Sequence, residues 1–265
     1  SLGSTDTFAQ ASVLGLYDPD RSKTPRKLGR PSTWQRFLGD LEGMLADEAS
    51  GQGRGLRILT GTITSPTAAT QLKAIQELYP ASTWHQYESL NRDNVVVGAK
   101  LAFGKIVDTV YDYAEADIVL SLDADFLVSS PAFARPARDV ASRRNPDEPD
   151  RMNRIYVAET NPSVTGASAD HRVPVRSSDM EAVTRAVARG VGVQVDGEDT
   201  VEAFDAFLQA AINDWKAHKG SSIVVAGDAQ PPVVHALVHA INLELGNDGH
   251  TVTHIRPVAA RAENQ

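Results

Sequence analysis

Several polar side chains in this sequence have the type and spacing that chemistry requires. Asp123 and Asp125 follow the apolar run 118–122 as an Asp-x-Asp pair. Two carboxylates at a strand end are suitable ligands for Mg²⁺ or Mn²⁺ held against a diphosphate, and residues two apart share one side of a strand that continues through them. The pair raises the hypothesis of a metal-dependent nucleotide-sugar transferase. The structural alternative is that one carboxylate caps the following turn and the other faces solvent.

A second pair, His235 and His239, lies four residues apart in a helical pattern. Zinc-binding helices share this spacing, but they need a glutamate directly after the first histidine, and Ala236 stands there. A zinc site also needs a third ligand, which no cysteine of this chain can supply. Both histidines and Asn242 fall on the flank of an apolar stripe, so the pattern favours structural histidines at a packing boundary.

The stretch "ETNPSVTGASADHR" brings Glu159, Asp170, His171 and Arg172 close together in sequence. An Asp–His pair suggests general acid–base chemistry. Adjacent residues usually point apart, however, so a dyad made of Asp170 and His171 themselves is not expected. The sequence also lacks the G-x-S-x-G motif of a serine hydrolase.

The elements that must position these residues alternate between strand and helix, and the strands are continuous apolar runs. This pattern predicts an α/β fold: a doubly wound, mostly parallel, Rossmann-like sheet with helices on both faces. We predict an N-terminal arm and helix over residues 1–54, packed onto a core, and the α/β domain over residues 55–265. One of the domain's helices is predicted at about residues 94–113. Because the chain begins at Ser1 and its first methionine is Met44, we expect a segment of a longer polypeptide, with a mature form of the protein as the alternative.

Open α/β sheets bind ligands at the carboxyl ends of their strands, near the point where strand order reverses. The candidate pocket residues at the predicted strand ends are Thr60, Gly61, Asp123, Asp125, Glu159, Thr160, Gly227 and Asp228. They are candidates by location, with no catalytic role assigned. The sequence contains neither a P-loop nor a G-x-G-x-x-G motif, so the single glycines are interpreted first as structural turns.

Composition excludes several kinds of site within this chain. With no cysteine, it has no disulfide, no thiolate nucleophile and no cysteine-held iron–sulfur cluster. A net charge of −8 and a pI of about 5.4 argue against a nucleic-acid partner. No apolar run approaches the roughly 20 residues that span a bilayer, so direct membrane insertion is not expected.

Three phrases resemble the molybdopterin oxidoreductases, the family of formate dehydrogenase and dimethyl sulfoxide reductase: "ADIVLSLDADFLVSSPAFARPARD", "RIYVAETNPSVTGASADHRVPVR" and "SSIVVAGDAQPPVVHALVHAINLELGN". Together with "LYDPDRSKTPRKLGRPSTWQRFL" they are most similar to the molybdopterin-like iron–sulfur subunit of bacterial alternative complex III, a quinol-oxidising assembly. The resemblance runs from about Leu16 to Pro257.

The resemblance implies a Rossmann-like core that in active family members holds molybdopterin guanine dinucleotide. This sequence departs from them: it has no cysteine or selenocysteine for molybdenum, and "LDADFLVSSP" stands where they have Gly-x-Asn-Pro. We therefore expect a cofactor-less scaffold in a respiratory complex. Its partners would be membrane-bound subunits and an iron–sulfur domain outside this segment, at a periplasmic or membrane-associated location. A domain that still binds molybdopterin or another nucleotide at the strand ends is the alternative.

Overall fold

The structure, a computed structural model, describes residues 5–129, 133–196 and 205–262. The chain divides into two compact units. The first contains the residues up to Ser89 together with those from Ala259 onward, and the second runs from Leu90 to Val258. In the described part of the chain, every helix is too short or too polar to cross a bilayer.

The first unit combines helices with two small sheets. Its elements are α1 (Thr7–Ala11), a 3-10 helix (Ser12–Leu16), β1 (Arg26–Lys27), β2 (Arg30–Pro31), α2 (Trp34–Ala49), β3 (Arg57–Thr60), α3 (Pro66–Leu78) and β4 (Thr83–Gln86). β1 and β2 form an antiparallel hairpin, whereas β3 and β4 pair in parallel. Ser65 caps α3 by accepting the N–H of Ala68, and Pro66 takes the first helical position, as the sequence predicts.

The N-terminal arm contains its predicted helix, but the apolar face of that helix is uncovered. α2 begins after Thr33, whose hydroxyl accepts the N–H of Arg36. None of the residues of α2 is buried, and Trp34 and Met44 are 67% and 66% exposed. The packing of this face onto a core stays a prediction, since no residue of α2 is buried here.

The second unit contains the larger sheet and most of the buried residues. Its elements are α4 (Asp93–Phe103), β5 (Asp108–Tyr111), β6 (Ile118–Leu122), α5 (Ala134–Ser142), a 3-10 helix (Pro149–Arg151), β7 (Arg154–Glu159), α6 (Val164–Ala167), β8 (His171–Pro174), a 3-10 helix (Ser177–Asp179), α7 (Met180–Val191), α8 (Asp205–Ala217), β9 (Ser222–Ala226), α9 (Pro232–Glu244) and β10 (Val252–Ile255).

The four-stranded sheet has the order β8-β7-β6-β9, with every neighbouring pair parallel. In chain order this is third, second, first, fourth, so the winding reverses between β6 and β9. Alternate residues of β6 join apolar clusters on opposite faces. Leu120 packs with side chains of α7, α8 and α9, and Val119 packs with Tyr113 and Phe126. The predicted doubly wound α/β fold is confirmed.

Two segments differ from the sequence prediction. The helix predicted at about residues 94–113 ends at Phe103, because Gly104 adopts a φ of +67° and donates its N–H to Lys100 O at 2.9 Å. The residues beyond it form β5, which pairs antiparallel with β10. In addition, β8 extends the parallel sheet in a stretch whose polar composition predicts no strand.

The outer edge of β9 is covered by side chains instead of another strand. Asn242 of α9 accepts the N–H of Val224 at 3.0 Å and donates to Val224 O at 2.8 Å. Asn247 accepts the hydroxyl of Ser222 at 3.0 Å, and Thr251 donates to Ser222 O. An edge strand that would otherwise expose unpaired backbone groups is thus hydrogen-bonded within the unit.

Candidate functional site

The carboxyl ends of β6, β7 and β9 meet at one edge of the sheet, where the winding reverses. The polar residues that follow these strands begin at Asp123, Thr160 and Gly227. Because this is the position at which open α/β sheets bind ligands, the geometry of these side chains decides what the site can hold.

Asp123 ties the three strand ends together. Its backbone has a φ of +55°, a left-handed conformation that aspartate tolerates better than most residues. Its Oδ1 accepts the N–H of Thr160 at 2.9 Å, and its Oδ2 accepts Nε2 of Gln230 at 2.9 Å. Both carboxylate oxygens are therefore occupied by donors from the turns after β7 and β9.

Gly227 is required because the turns after β6 and β9 approach each other closely. A Cβ at this position would lie 2.1 Å from the backbone oxygen of Asp123, and the Gly227 N–H donates to Leu122 O at 3.0 Å. The prediction of a structural glycine is consistent with this contact, whose cause is space and not a special φ. The same contact narrows the gap between the turns that follow β6 and β9, where the winding of the sheet reverses.

Asp125 binds a different part of the site. Its Oδ1 accepts both the N–H and the hydroxyl of Thr165 at 2.9 and 2.7 Å, and Thr165 is fully buried. Asp123 and Asp125 thus anchor two different segments through local hydrogen bonds. Among the described residues, no cluster of three histidine or carboxylate side chains is suited to a metal ion.

Glu159, the last residue of β7, is 2% exposed and packs against the backbone of Gly166. Its carboxylate accepts the hydroxyl of Ser163 at 2.5 Å and the Ser163 N–H at 3.3 Å. Arg172 forms an ion pair with the same carboxylate. Burial alone would raise the pKa of Glu159, but hydrogen bonds from Ser163 and Arg172 outweigh it and hold the pKa below its usual value.

The remaining predicted positions are more open. Asp228 follows the Gly227 turn and forms an ion pair with Arg92, with 3.2 Å between Oδ2 and Nε. Thr60 and Gly61 belong to the first unit, where the Thr60 hydroxyl accepts the indole N–H of Trp84 at 2.9 Å. The strand-end site of the second unit is built without those two residues.

The Asp-His-Arg triplet separates, as expected for adjacent residues. Asp170 forms a two-point ion pair with Arg144 at 2.8 and 2.7 Å, and His171 stacks on Tyr156 with the ring centres 4.7 Å apart. Arg172 alone turns toward the strand-end carboxylate described above. In this geometry the triplet holds elements together and contains no catalytic dyad.

His235 and His239 are buried between α9 and its neighbours. The β-carbon of His235 lies against Gly98 of α4, where an added Cβ would be 2.4 Å away. His239 contacts Phe103 and His254, with ring centres 4.9 and 5.4 Å apart. Burial lowers the pKa of both histidines, and together with the nearby histidines it lowers the pKa of His239 to about 4. These are the packing-boundary positions that the stripe predicts.

Two important residues were missed by sequence reasoning. Gln230 is 3% exposed and donates a side-chain hydrogen bond to Asp123. Thr165 donates its hydroxyl to Asp125. Neither belongs to a recognisable motif. The one signal for Gln230 in the sequence was its position in "GDAQPP", in the turn between a predicted strand and a proline-started helix. Its burial, which is unusual for glutamine, is visible only in the structure.

Several backbone donors at these strand ends are paired within the chain and are therefore not free for a diphosphate such as that of a pterin dinucleotide. Phosphates bind at free N–H groups of helix N-termini. Here the N–H groups of Thr160, Ser163, Thr165 and Gly166 all donate to side chains of the chain itself. α9 begins at Pro232 after Pro231, and neither proline has an N–H. Carboxylates also crowd the site and would repel phosphate.

No family model and no curated protein matches this sequence. Among solved structures, the fold is similar to acetylene hydratase from Pelobacter acetylenicus, with a TM-score of 0.53 and 12% sequence identity. The match covers 88% of this chain but only 35% of that protein. At this level of identity the likeness shows a similar fold, and this chain spans about a third of the length of that protein.

Proposed function

We propose that this chain is a cofactor-free scaffold domain of a molybdopterin-oxidoreductase-like subunit. Its work in this proposal is to hold iron–sulfur and membrane-bound partners of a quinol-oxidising complex, at a periplasmic or membrane-associated location. The likeness in fold to acetylene hydratase and the phrases that resemble the alternative complex III subunit support it. Because the chain spans about a third of that neighbour, the complex and its partners are parts of the proposal.

One observation carries the scaffold interpretation: the polar groups at the switch point satisfy one another. Asp123 accepts N–H groups from the turns after β7 and β9, in the place where a bound anion would accept them. The contact of Gly227 with Asp123 O brings the β6 and β9 turns together. These contacts make a rigid strand-end edge, which suits a domain that positions other subunits.

Ligand binding provides the first test. The purified chain is heated with GDP, GTP or molybdopterin guanine dinucleotide at millimolar concentration, and its mass spectrum is recorded as isolated. A ligand at 100 times its Kd stabilises a protein by about 2.7 kcal/mol, which raises the Tm of a chain this long by about 5 °C or more. We expect no shift and no released pterin. A shift of that size with one of these compounds would overturn the proposal.

The variant Asp123→Asn in the full complex tests whether Asp123 stabilises the fold or takes part in quinol oxidation. In Asp123→Asn one acceptor becomes an amide donor facing another donor, so we expect a loss of about 1–2 kcal/mol in unfolding free energy. Quinol oxidation per assembled complex, measured with the complex quantified by its iron content, should stay unchanged. Asp150→Asn, the same change at an exposed position outside the candidate site, serves as the matched control. If turnover per complex falls for Asp123→Asn alone, the site takes part in the reaction.

A further inference from the structure

The first unit exposes an unusually apolar helix. Along α2, Trp34, Phe37, Leu38, Leu41 and Met44 recur at helical spacing and form one stripe. All of them are exposed, Trp34 and Met44 by about two thirds. Isolated exposed apolar residues are common, but a contiguous stripe with two aromatic rings in contact, 5.6 Å between centres, is typical of a binding surface. The stripe and the adjacent β1–β2 hairpin, residues 25–44, are called the arm surface below.

A cavity of about 340 Å³ lies within the arm surface, between the hairpin and α2. Phe37, Leu41 and Met44 supply its apolar lining, Arg26 and Lys27 border it from the hairpin, and Asp40 borders it from α2. A cavity of this size and lining accepts a large apolar side chain as an anchor. A helix that lies in such a groove typically inserts side chains at positions i, i+3 or i+4, and i+7.

The segment that contains the hairpin is rich in cations, although the chain as a whole carries a net charge of −8. Six cations and no carboxylate occur between residues 21 and 36: Arg21, Lys23, Arg26, Lys27, Arg30 and Arg36. Lys27 pairs with Asp40 at 2.5 Å. In the described ranges, Arg21, Lys23, Arg26 and Arg30 have no carboxylate within ion-pair distance. A partner with carboxylates around an apolar anchor would complement both features.

We propose that the arm surface is the docking site for an acidic amphipathic segment of a partner polypeptide, an inference that rests on the proposed scaffold function. The charge pattern favours a polypeptide over an anionic membrane. A bilayer laid along α2 would meet Asp40, Glu42, Asp47 and Glu48, whereas helices that bind anionic bilayers carry lysine and arginine on their polar face. A peptide segment can place its carboxylates on the hairpin cations alone. The groove takes the partner's apolar side chains, and the hairpin cations pair with its carboxylates.

Photo-crosslinking in the assembled complex tests the docking site. The photoreactive residue p-benzoylphenylalanine replaces Met44 in the groove or, as the control, Lys73 on the exposed face of α3, which is 78% exposed at its side chain. Crosslinked peptides are identified by mass spectrometry. We expect the Met44 position to capture one peptide of another polypeptide, rich in Asp and Glu around Leu or Phe, about tenfold above the control. Capture of lipid, of a second copy, of another segment of the same polypeptide or of nothing above the control overturns the inference.

A charge reversal provides an independent measurement. In the full complex, Arg26→Glu should weaken retention of the captured polypeptide about tenfold, and raised salt should weaken it in the unmodified complex. Lys73→Glu makes the same charge change on α3 and should leave retention unchanged. Equal effects of both variants overturn the inference. If crosslinking fails while guanine nucleotides still give no thermal shift, the docking site is wrong and the scaffold function stands.

Discussion

Replacing His239 should remove a measurable part of the acid sensitivity of the second unit. His239 is 8% exposed and lies among the rings of Phe103 and His254. Its Nδ1 has no hydrogen-bond partner within the described residues. Burial is the largest cause that lowers its pKa from 6.5 to about 4, followed by the charges of His254 and His235. The folded protein therefore holds this imidazole neutral where the unfolded chain takes up a proton.

The direction and size of the effect follow from this difference. Because the folded pKa of His239 lies below the unfolded value, its contribution to stability is complete above about pH 6.5 and is lost as the pH falls toward 4. One unit of difference in pKa corresponds to about 1.4 kcal/mol. The fall in the pKa of His239 from 6.5 to about 4 therefore corresponds to about 3 kcal/mol of unfolding free energy. Between about pH 7.5 and pH 5 the expected loss is about 2 kcal/mol.

Urea unfolding of the wild type and His239→Phe at several pH values measures this loss. Phenylalanine keeps a ring against Phe103 but cannot take up a proton, so the free-energy difference between the two proteins should shift by about 2 kcal/mol in favour of the variant on going from about pH 7.5 to pH 5. His250→Gln, an exposed histidine of the same unit, is the control and should run parallel to the wild type. Parallel curves for His239→Phe would refute the reasoning.

Three further substitutions test the contacts of the second unit. Asn242→Leu leaves both backbone groups of Val224 without their partner, so urea unfolding should show a loss of about 2–4 kcal/mol, and an unchanged stability would contradict the edge contact. Gly227→Ala places a methyl group against Asp123 O at 2.1 Å, and a loss of about 3 kcal/mol or a failure to fold is expected. Glu159→Gln should cost about 1–3 kcal/mol near neutral pH. That difference should shrink as the pH falls through the lowered pKa of Glu159, because the wild-type carboxylate then becomes neutral as well.

The large sheet could be predicted because its central strands are continuous runs of apolar residues. β6 and β9 are buried along their whole length, and continuous apolar runs are the sequence signature of such strands. β8 and β5 were not predicted because each is partly or wholly exposed and pairs along one edge only. Polar composition hides a strand whose stability comes from backbone pairing with a neighbour distant in sequence.

The position of the candidate site was predictable, but its chemistry was not. Parallel strands share one carboxyl edge, so Asp123, Glu159 and Gly227 could be placed together from strand order alone. Whether Asp123 faces a ligand or a neighbouring turn depends on the turn after β9, where Gln230 reaches back to it. No pattern in the sequence encodes that contact, because it joins residues 107 positions apart through an irregular turn.

α9 shows why one polar flank can have two different roles. His235, His239 and Asn242 share a flank in sequence, but the elements beside them differ. The histidines face α4 and β10, which supply a glycine surface and aromatic rings, and two of their ring nitrogens have no hydrogen-bond partner in the described residues. Asn242 instead faces the open edge of β9, where its amide pairs with a backbone N–H and C=O as a neighbouring strand would. Asparagine has a donor and an acceptor in fixed relation, and so it can close a sheet edge that an imidazole cannot satisfy. Helical spacing predicts which residues share a face, and the neighbouring element then decides whether their polar groups stabilise the fold at every pH or only while they are uncharged.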